Sequence, residues 1–210
     1  PVPYGGWIPP SIFGGGKTGS SGWTPAGYHV HNRDVNKDVY CYVAPAPITD
    51  HLKWDSFDGK DMNTWNVNYV TDMSGMLKNA TSFIEDIGNW NTSNVKNMSN
   101  MFYNASSFNK NIGGWDVSNV TKMSFMFYDT YNYNNNFQDL KGWNVSSVTE
   151  MISMFDGASV FNQDISTWDV SNVNNMSSMF RNTSLFNQNI SSWDVSNVKD
   201  MRNMFNDASA

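Results

Sequence analysis

The chain has a single cysteine, Cys41, and no long hydrophobic run. One cysteine excludes a disulfide framework and a cysteine-based metal site. A membrane-spanning helix needs about 20 consecutive apolar residues, so we predict no membrane insertion. Charge is scarce as well: 15 % of the residues are charged, and the net charge is −6. An acidic chain with scattered Lys and Arg predicts no nucleic-acid partner and no attraction to an anionic membrane.

What the chain has in abundance is a repeat. Tryptophans recur at steps of 25, 25, 28, 25 and 25 residues: Trp65, Trp90, Trp115, Trp143, Trp168 and Trp193. Two methionine columns keep the same steps, beginning at Met73 and at Met76. A fixed period of this length indicates units that bury their apolar faces against their neighbours, as in a solenoid. We therefore expect a core built of Trp, Phe, Met, Val and Ile ladders.

One unit is best seen in residues 165–180. Its apolar spacing matches the leucine-rich pattern L-x-x-L-x-L, and the alternation of Trp168 and Val170 predicts a short parallel strand. The i, i+3, i+4 spacing of Val173, Met176 and Met179 predicts one short helix with a single buried face. The expected fold class is α/β: a right-handed, leucine-rich-repeat-like solenoid with one short strand and one short helix per repeat.

Two regions are predicted. Residues 1–50 are rich in Pro and Gly and form an N-terminal arm and cap, in which Val39–Val43 alternates as a short strand would. Residues 51–210 form the repeat solenoid, about six repeats with the last one incomplete. The sequence stops in mid-unit without a polar capping segment, which predicts either a continuation or an end that stacks on another subunit.

The repeat resembles a known family. Trp168-Asp-Val-Ser-Asn-Val173, followed by Met176 and Met179-Phe180, is similar to the unit of BspA-like leucine-rich-repeat surface proteins, as found in mycoplasma lipoproteins. The resemblance covers residues 62–210. It implies a solenoid displayed outside the cell, with adhesion as the usual role and no catalytic residues. The sequence departs from the pattern at Thr92, which replaces a strand Val, and in a three-residue insertion around residues 131–136, which we expect to bulge.

An Asn/Asp column follows each tryptophan and is the first candidate site. Three hypotheses remain open for it: side-chain hydrogen bonds between adjacent coils, contact with a repetitive ligand such as a glycan, or Ca²⁺ held by oxygen ligands. Ca²⁺ is the only cofactor considered, and otherwise none is predicted. The column consists of Asn66, Asn91, Asp116, Asn144, Asp169 and Asp194.

The second candidate site is aromatic. The variable residue after each Met-Phe pair is expected to be exposed, and Tyr103 and Tyr128 occupy this position in two consecutive copies. Tyr131 and Tyr133 lie in the insertion beside them. Tyrosines on an exposed bulge are typical of a contact patch, because they offer large area at low entropic cost. The alternative is that they fold over the distorted coil.

No enzyme is predicted. His29 and His31 resemble half of a metal site, but with Cys41 and His51 they lack a recognised ligand spacing. The glycine-rich segment 14–18 lacks the first glycine of a phosphate-binding loop. We expect a non-enzymatic protein of the extracellular space, cell surface or virion surface, adhering to a cell-surface protein or glycan. The alternatives are a coat or filament subunit that binds copies of itself or other coat proteins, and a Ca²⁺- or glycan-binding lectin-like module.

Overall fold

The computed structural model describes residues 28–32, 39–43, 63, 67–134 and 140–209. Strands β1 (Tyr28–Asn32) and β2 (Val39–Val43) form an antiparallel hairpin in which Tyr28 lies opposite Val43. The strand predicted at Val39–Val43 is confirmed. Cys41 has Val30 as its register partner. The rest of the predicted arm and cap lies outside the described residues.

Successive repeat units stack on one another through backbone hydrogen bonds. Isolated parallel bridges join one residue of each unit to the same position in the next: Asp72 to Asn97, Asn97 to Lys122, Lys122 to Glu150, Glu150 to Asn175, and Asn175 to Asp200. In every unit except the last described one, four amides donate across the junction to the next unit. In the first unit they are the amides of Met73, Gly75, Leu77 and Asn79, at 2.7 to 2.9 Å from their acceptors.

The segment predicted as a helix is a run of turns instead. Its alternate amides point to the next unit, and those between them close turns on residues three positions back, as Met76 does on Met73. An α-helix needs every amide for a bond within its own segment. The predicted strand at Trp168 and Val170 is also absent, because the parallel pairing lies further along the unit, at Asn175. Within the described part of the repeats, a short 3-10 helix is formed at Leu140–Gly142.

Left-handed backbone recurs twice in every unit. The first position follows the bridge residue by three and carries Gly75, Asn100, Phe125, Ser153, Ser178 and Asn203. The second is occupied only by Asn, Asp or Gly: Asn79, Asn104, Asp129, Gly157, Asn182 and Asp207. These three residue types tolerate positive φ best. The two positions interrupt helical φ angles and turn alternate amides outward.

The predicted core ladders are confirmed. Phe102, Phe127, Phe155 and Phe180 are fully buried and stack ring on ring at 5.3 to 5.8 Å. The methionines of both columns are fully buried in the interior units, beside the aromatic rings. Each fully buried side chain of this size contributes roughly 1.5–3 kcal/mol. The Met columns are therefore packing residues, as sulfur–aromatic contact favours.

The buried tryptophans keep their indole groups satisfied. Nε1 of Trp115, Trp168 and Trp193 donates at 3.0 to 3.1 Å to a backbone carbonyl of the preceding unit. The acceptor lies three residues before the preceding tryptophan, at Ile87, Leu140 and Ile165 respectively. Each of these tryptophans therefore contacts the preceding unit in two ways, by stacking on its tryptophan ring and by a hydrogen bond to its backbone.

The three additional residues enter later than predicted. The amide of Asn134 donates to Oδ1 of Asn109, and Oδ1 of Asn134 accepts from the amide of Asn162. Residues up to Asn134 therefore keep the register of the other units, and the extra length falls between Asn134 and Leu140. Residues 135–139 lie outside the description. No helix in the described part of the chain has the length and apolar character of a membrane span.

Candidate functional site

The Asn/Asp column caps turns within its own unit. Oδ1 of Asp116, Asp169 and Asp194 accepts the backbone amide two residues later at 3.0 Å, and Asn91 and Asn144 do the same at 3.1 and 3.2 Å. Asn66 lies outside the described residues. Hydrogen bonds from the serine hydroxyl and then from the serine amide lower the pKa of Asp116, Asp169 and Asp194. The five described side chains are exposed, and these bonds stay inside one unit.

A different asparagine column joins adjacent units, and the sequence analysis missed it. Nδ2 of Asn119, Asn172 and Asn197 donates at 2.7 to 2.8 Å to a serine carbonyl of the preceding unit. Asn94 makes the equivalent bond to the carbonyl of Asn68. The signal was the Asn that precedes the second valine of the unit. Across the described residues, no group of three or more His, Cys, Asp or Glu side chains is placed to hold a metal ion.

The aromatic patch comprises Tyr103, Phe125, Tyr128 and Tyr131. The rings of Tyr103 and Tyr128 stack at 4.6 Å with an interplanar angle of 8°. Phe125 lies 6.0 Å from Tyr128 at 53°, and Tyr131 is 47 % exposed. Nζ of Lys78 sits 4.6 Å above the Tyr103 ring. Tyr103, Phe125 and Tyr128 are half-buried, so the patch is both held in place and open to contact.

Phe125 was not predicted as a site residue. It occupies a left-handed position, with φ of 60°, where the other five units carry Gly, Asn or Ser. A bulky side chain in this region is an outlier that costs on the order of 1 kcal/mol or more. Strain of this kind is concentrated at functional sites. The sequence signal was a single aromatic residue in a column of small and polar residues.

An ion pair borders the patch. Nε of Arg181 donates to Oδ1 and Oδ2 of Asp156 at 3.1 and 3.0 Å. The hydrogen bond to Asp156 raises the pKa of Arg181, and the nearby Tyr128 acts in the same direction. Asp156 is buried, so the prediction that this column is exposed throughout is wrong at that position. The carboxylate turns inward because Arg181 and Ser153 provide its hydrogen bonds there.

Asp129 lies between this ion pair and Tyr131. Burial, followed by the nearby charge of Asp156, raises the pKa of the Asp129 carboxyl, while a hydrogen bond with Tyr131 opposes the shift. Gly157 lies directly against the carboxylate, since a Cβ there would clash with Asp129 Oδ1. The close approach and the φ of 76° both require glycine at position 157.

Tyr133 corrects a predicted contact residue. It is fully buried, and its ring stacks between Phe108 at 5.7 Å and Phe161 at 6.4 Å, as one member of the second phenylalanine column. The prediction that Tyr133 lies on an exposed bulge is wrong, because the insertion enters after it. Its hydroxyl has no hydrogen-bond partner among the described residues, and burial raises its pKa well above the usual range.

Comparison with known proteins gives one match. The model of a family described as "Mycoplasma protein of unknown function, DUF285" matches residues 49–141 and 133–210, well over half of the chain. No curated protein and no solved structure matches. The mycoplasma part of the resemblance is therefore confirmed, whereas its leucine-rich-repeat and BspA-like parts stay predictions. The chain belongs to the DUF285 family of mycoplasma proteins of unknown function.

Proposed function

We propose that the chain is a non-enzymatic surface protein that presents the aromatic patch to a partner protein outside the cell. The observation that carries this proposal is the clustering of four aromatic side chains on two adjacent units, one of them in a left-handed backbone conformation. Tyrosine-rich clusters at a solvent-facing position are typical of the central contacts of protein interfaces.

The stacking of the patch favours binding on entropic grounds. Tyr103 is held between Lys78 on one face and Tyr128 on the other, so its rotamer is restricted before any partner arrives. Ordering a side chain at an interface costs about 0.5–1.5 kcal/mol, and a pre-stacked ring avoids most of this. The backbone beneath is tied across both junctions by amide hydrogen bonds.

A protein partner fits the patch better than a glycan does. A sugar ring that packs on tyrosine needs an open ring face, and Tyr103 offers none, because Lys78 and Tyr128 cover its two faces. The Asn/Asp column likewise offers little to Ca²⁺, because one oxygen of each described side chain already caps a turn. The lectin-like alternative therefore has less support than protein contact.

We also propose that residues 51–210 form a right-handed solenoid of the BspA-like, leucine-rich-repeat type. Its supports are the parallel bridges between consecutive units and the extent of the family match. Such a stack carries a local patch on a long, regular body, which suits display at a surface. Display on a virion or in a coat remains the alternative.

The proposal is tested by binding of the fluorescently labelled chain to intact cultured cells. We expect saturable binding that mild trypsin treatment of the cells abolishes and periodate oxidation of their glycans leaves intact. The double variant Tyr103→Ser/Tyr128→Ser should bind at least tenfold more weakly. Tyr69→Ser, which removes an exposed tyrosine outside the patch, is the matched control and should bind as the unchanged chain does.

Two results would overturn the proposal: equal binding by the patch variant and the control, or no saturable binding by the unchanged chain. Loss of binding after periodate but not after trypsin would replace the protein partner with a glycan. Light scattering on the same samples tests the coat or filament alternative. Open-ended association of the unchanged chain in solution would favour assembly over adhesion.

A further inference from the structure

The charges around the aromatic patch do not balance evenly. Asp156 is neutralised by Arg181, and Lys78 lies on the far side of Tyr103. Asp129 has no ion pair within the described residues, and Tyr131 is near enough to lower the pKa of its carboxyl. The side of the patch formed by Phe125, Tyr128 and Tyr131 therefore combines aromatic rings with one carboxylate that forms no ion pair of its own among the described residues.

Aromatic faces and a carboxylate attract cations. The ring quadrupole places negative charge on each face, and a cation above it gains about 0.5–1 kcal/mol at exposed sites. The patch already shows this chemistry at its other side, where Nζ of Lys78 lies 4.6 Å above Tyr103. The side near Asp129 offers the same groups with no described cation on them.

We propose that Phe125, Tyr131 and Asp129 receive an arginine side chain of the partner protein. Arginine suits the three groups because its planar guanidinium stacks on rings while its N–H groups pair with a carboxylate. The net charge of −6 adds a long-range preference for a basic partner. The inference rests on the proposed function for its claim that the partner is a protein.

The backbone at Phe125 supports this role. The ring sits at the surface against Tyr128, in a column where Gly, Asn and Ser satisfy the same left-handed conformation with less strain. Replacing Phe125 with Asn restores the residue of the preceding unit, Asn100. If this position served folding alone, Gly, Asn or Ser would satisfy it with less strain. An aromatic side chain here is better explained by contact with a partner.

The test uses three short capped peptides that differ at one position, with Arg, Lys or citrulline between glycines. Binding to the full chain is followed by NMR shifts of the amides of Phe125, Asp129 and Tyr131. We expect the Arg peptide to shift these amides saturably and the uncharged citrulline peptide to bind at least tenfold more weakly. Asp129→Asn and Tyr131→Ser should each weaken Arg-peptide binding about fivefold or more, and Tyr69→Ser should not change it.

Phe125→Asn separates contact from folding, because it should raise the melting temperature while weakening Arg-peptide binding. Equal binding of the Arg and citrulline peptides, or unchanged binding by Phe125→Asn, would overturn the inference. Cell binding that survives Asp129→Asn would also count against it and leave the proposed function standing. Saturable shifts with the Arg peptide, in a chain that binds no cells, would remove the proposed function alone.

Discussion

Left-handed backbone positions decide which side chains each residue column tolerates. The second such column contains only Asn, Asp and Gly, and all of its members except Asp207, in the last described unit, donate their amides to the next unit. Phe125 departs from the small and polar residues that fill the first column elsewhere. In the second column, position 157 requires glycine both for its positive φ and for its close contact with Asp129. Single substitutions at these positions should therefore change stability more than their exposure suggests.

Gly157→Ala should lower the free energy of unfolding by about 1–3 kcal/mol, because a Cβ at positive φ is strained and would meet the Asp129 carboxylate. Urea denaturation measures the change. Gly114→Ala is the control, since a Cβ there has nothing within 4 Å, and it should be neutral or slightly stabilising. Adding Asp129→Gly to Gly157→Ala should recover part of the loss. Equal stability of the two alanine variants would contradict the clash.

Tyr133→Phe should leave the chain as stable or raise its unfolding free energy by about 1–3 kcal/mol, because the buried hydroxyl finds no partner in the described part of the chain and its desolvation is uncompensated there. The reverse change, Phe161→Tyr, adds a hydroxyl to the same aromatic column and should destabilise. Thermal and urea unfolding of both variants provide the comparison. A clear loss of stability in Tyr133→Phe would show that the hydroxyl is bonded in solution.

At the scale of the element, the turn run replaces the helix that its apolar spacing predicts. Residues at i, i+3 and i+4 are buried in both conformations, so the pattern of Met176, Met179 and Phe180 does not separate them. The Asn and Asp residues at positive φ were the distinguishing signal. Local capping by the Asn/Asp column turns the chain before this run begins.

Helix content is a direct check on this element. Far-UV circular dichroism should lack the strong double minimum of a protein with one helix in each repeat, since the described units contain turns there. Trifluoroethanol should increase helicity, because it favours local amide bonds over those across junctions. A strongly helical spectrum in buffer would contradict the turn assignment.

The aspartate caps predict an acid-sensitive fold. Folded-state pKa values of Asp116, Asp169 and Asp194 lie below the unfolded value of about 3.9. Each carboxylate therefore stabilises the fold above that pH, and the stabilisation is lost as pH falls through the folded pKa. The hydrogen bond from Arg202 lowers the pKa of Asp200 to about 2, and this carboxylate contributes to stability in the same sense. The raised pKa of Asp129 acts in the opposite sense.

We accordingly expect the melting temperature to change little from about pH 8 to pH 5 and to fall below about pH 4. Thermal scans across this range measure it. The triple variant Asp116→Asn/Asp169→Asn/Asp194→Asn should show a smaller fall, because Asn91 and Asn144 make the same cap without a titrating group. An identical acid profile for the triple variant would assign the loss to other carboxylates.

At the scale of the whole molecule, each unit contacts its neighbours and stability is shared along the stack. In the interior units, alternate amides donate to carbonyls of the next unit. In the last described unit the corresponding amides have no described acceptor: those of Met201, Asn203, Phe205 and Asp207. Arrays of this kind open from less supported units, and local stability follows the number of neighbours.

Hydrogen exchange should therefore follow position in the stack. The amides of Phe127, Phe155 and Phe180, which donate across interior junctions, should exchange far more slowly than that of Phe205. Exchange followed by NMR resolves each amide. Met204, whose amide closes a turn on Met201, serves as the control within the same unit. Uniform protection from the first unit to the last would indicate one cooperative block instead of a graded stack.

The sequence by itself determined the period, the columns that form the core and the strand at Val39–Val43. Each of these follows from side-chain hydrophobicity at fixed spacing, which acts the same way in every copy. The resemblance of the repeat also anticipated the mycoplasma family. The sequence placed Tyr103, Tyr128 and Tyr131 in one neighbourhood, although it did not add Phe125 to them.

The tertiary structure alone decided the backbone conformation and the direction of several side chains. Turns replace helices because amides of one unit find acceptors in the next, at a distance of one period along the chain. Tyr133 turns inward because the phenylalanine column continues through it from Phe108 to Phe161. Asp129 lies against Gly157 because the two residues occupy equivalent positions in adjacent units. These outcomes depend on what lies in the adjacent unit, and local spacing does not encode that neighbour.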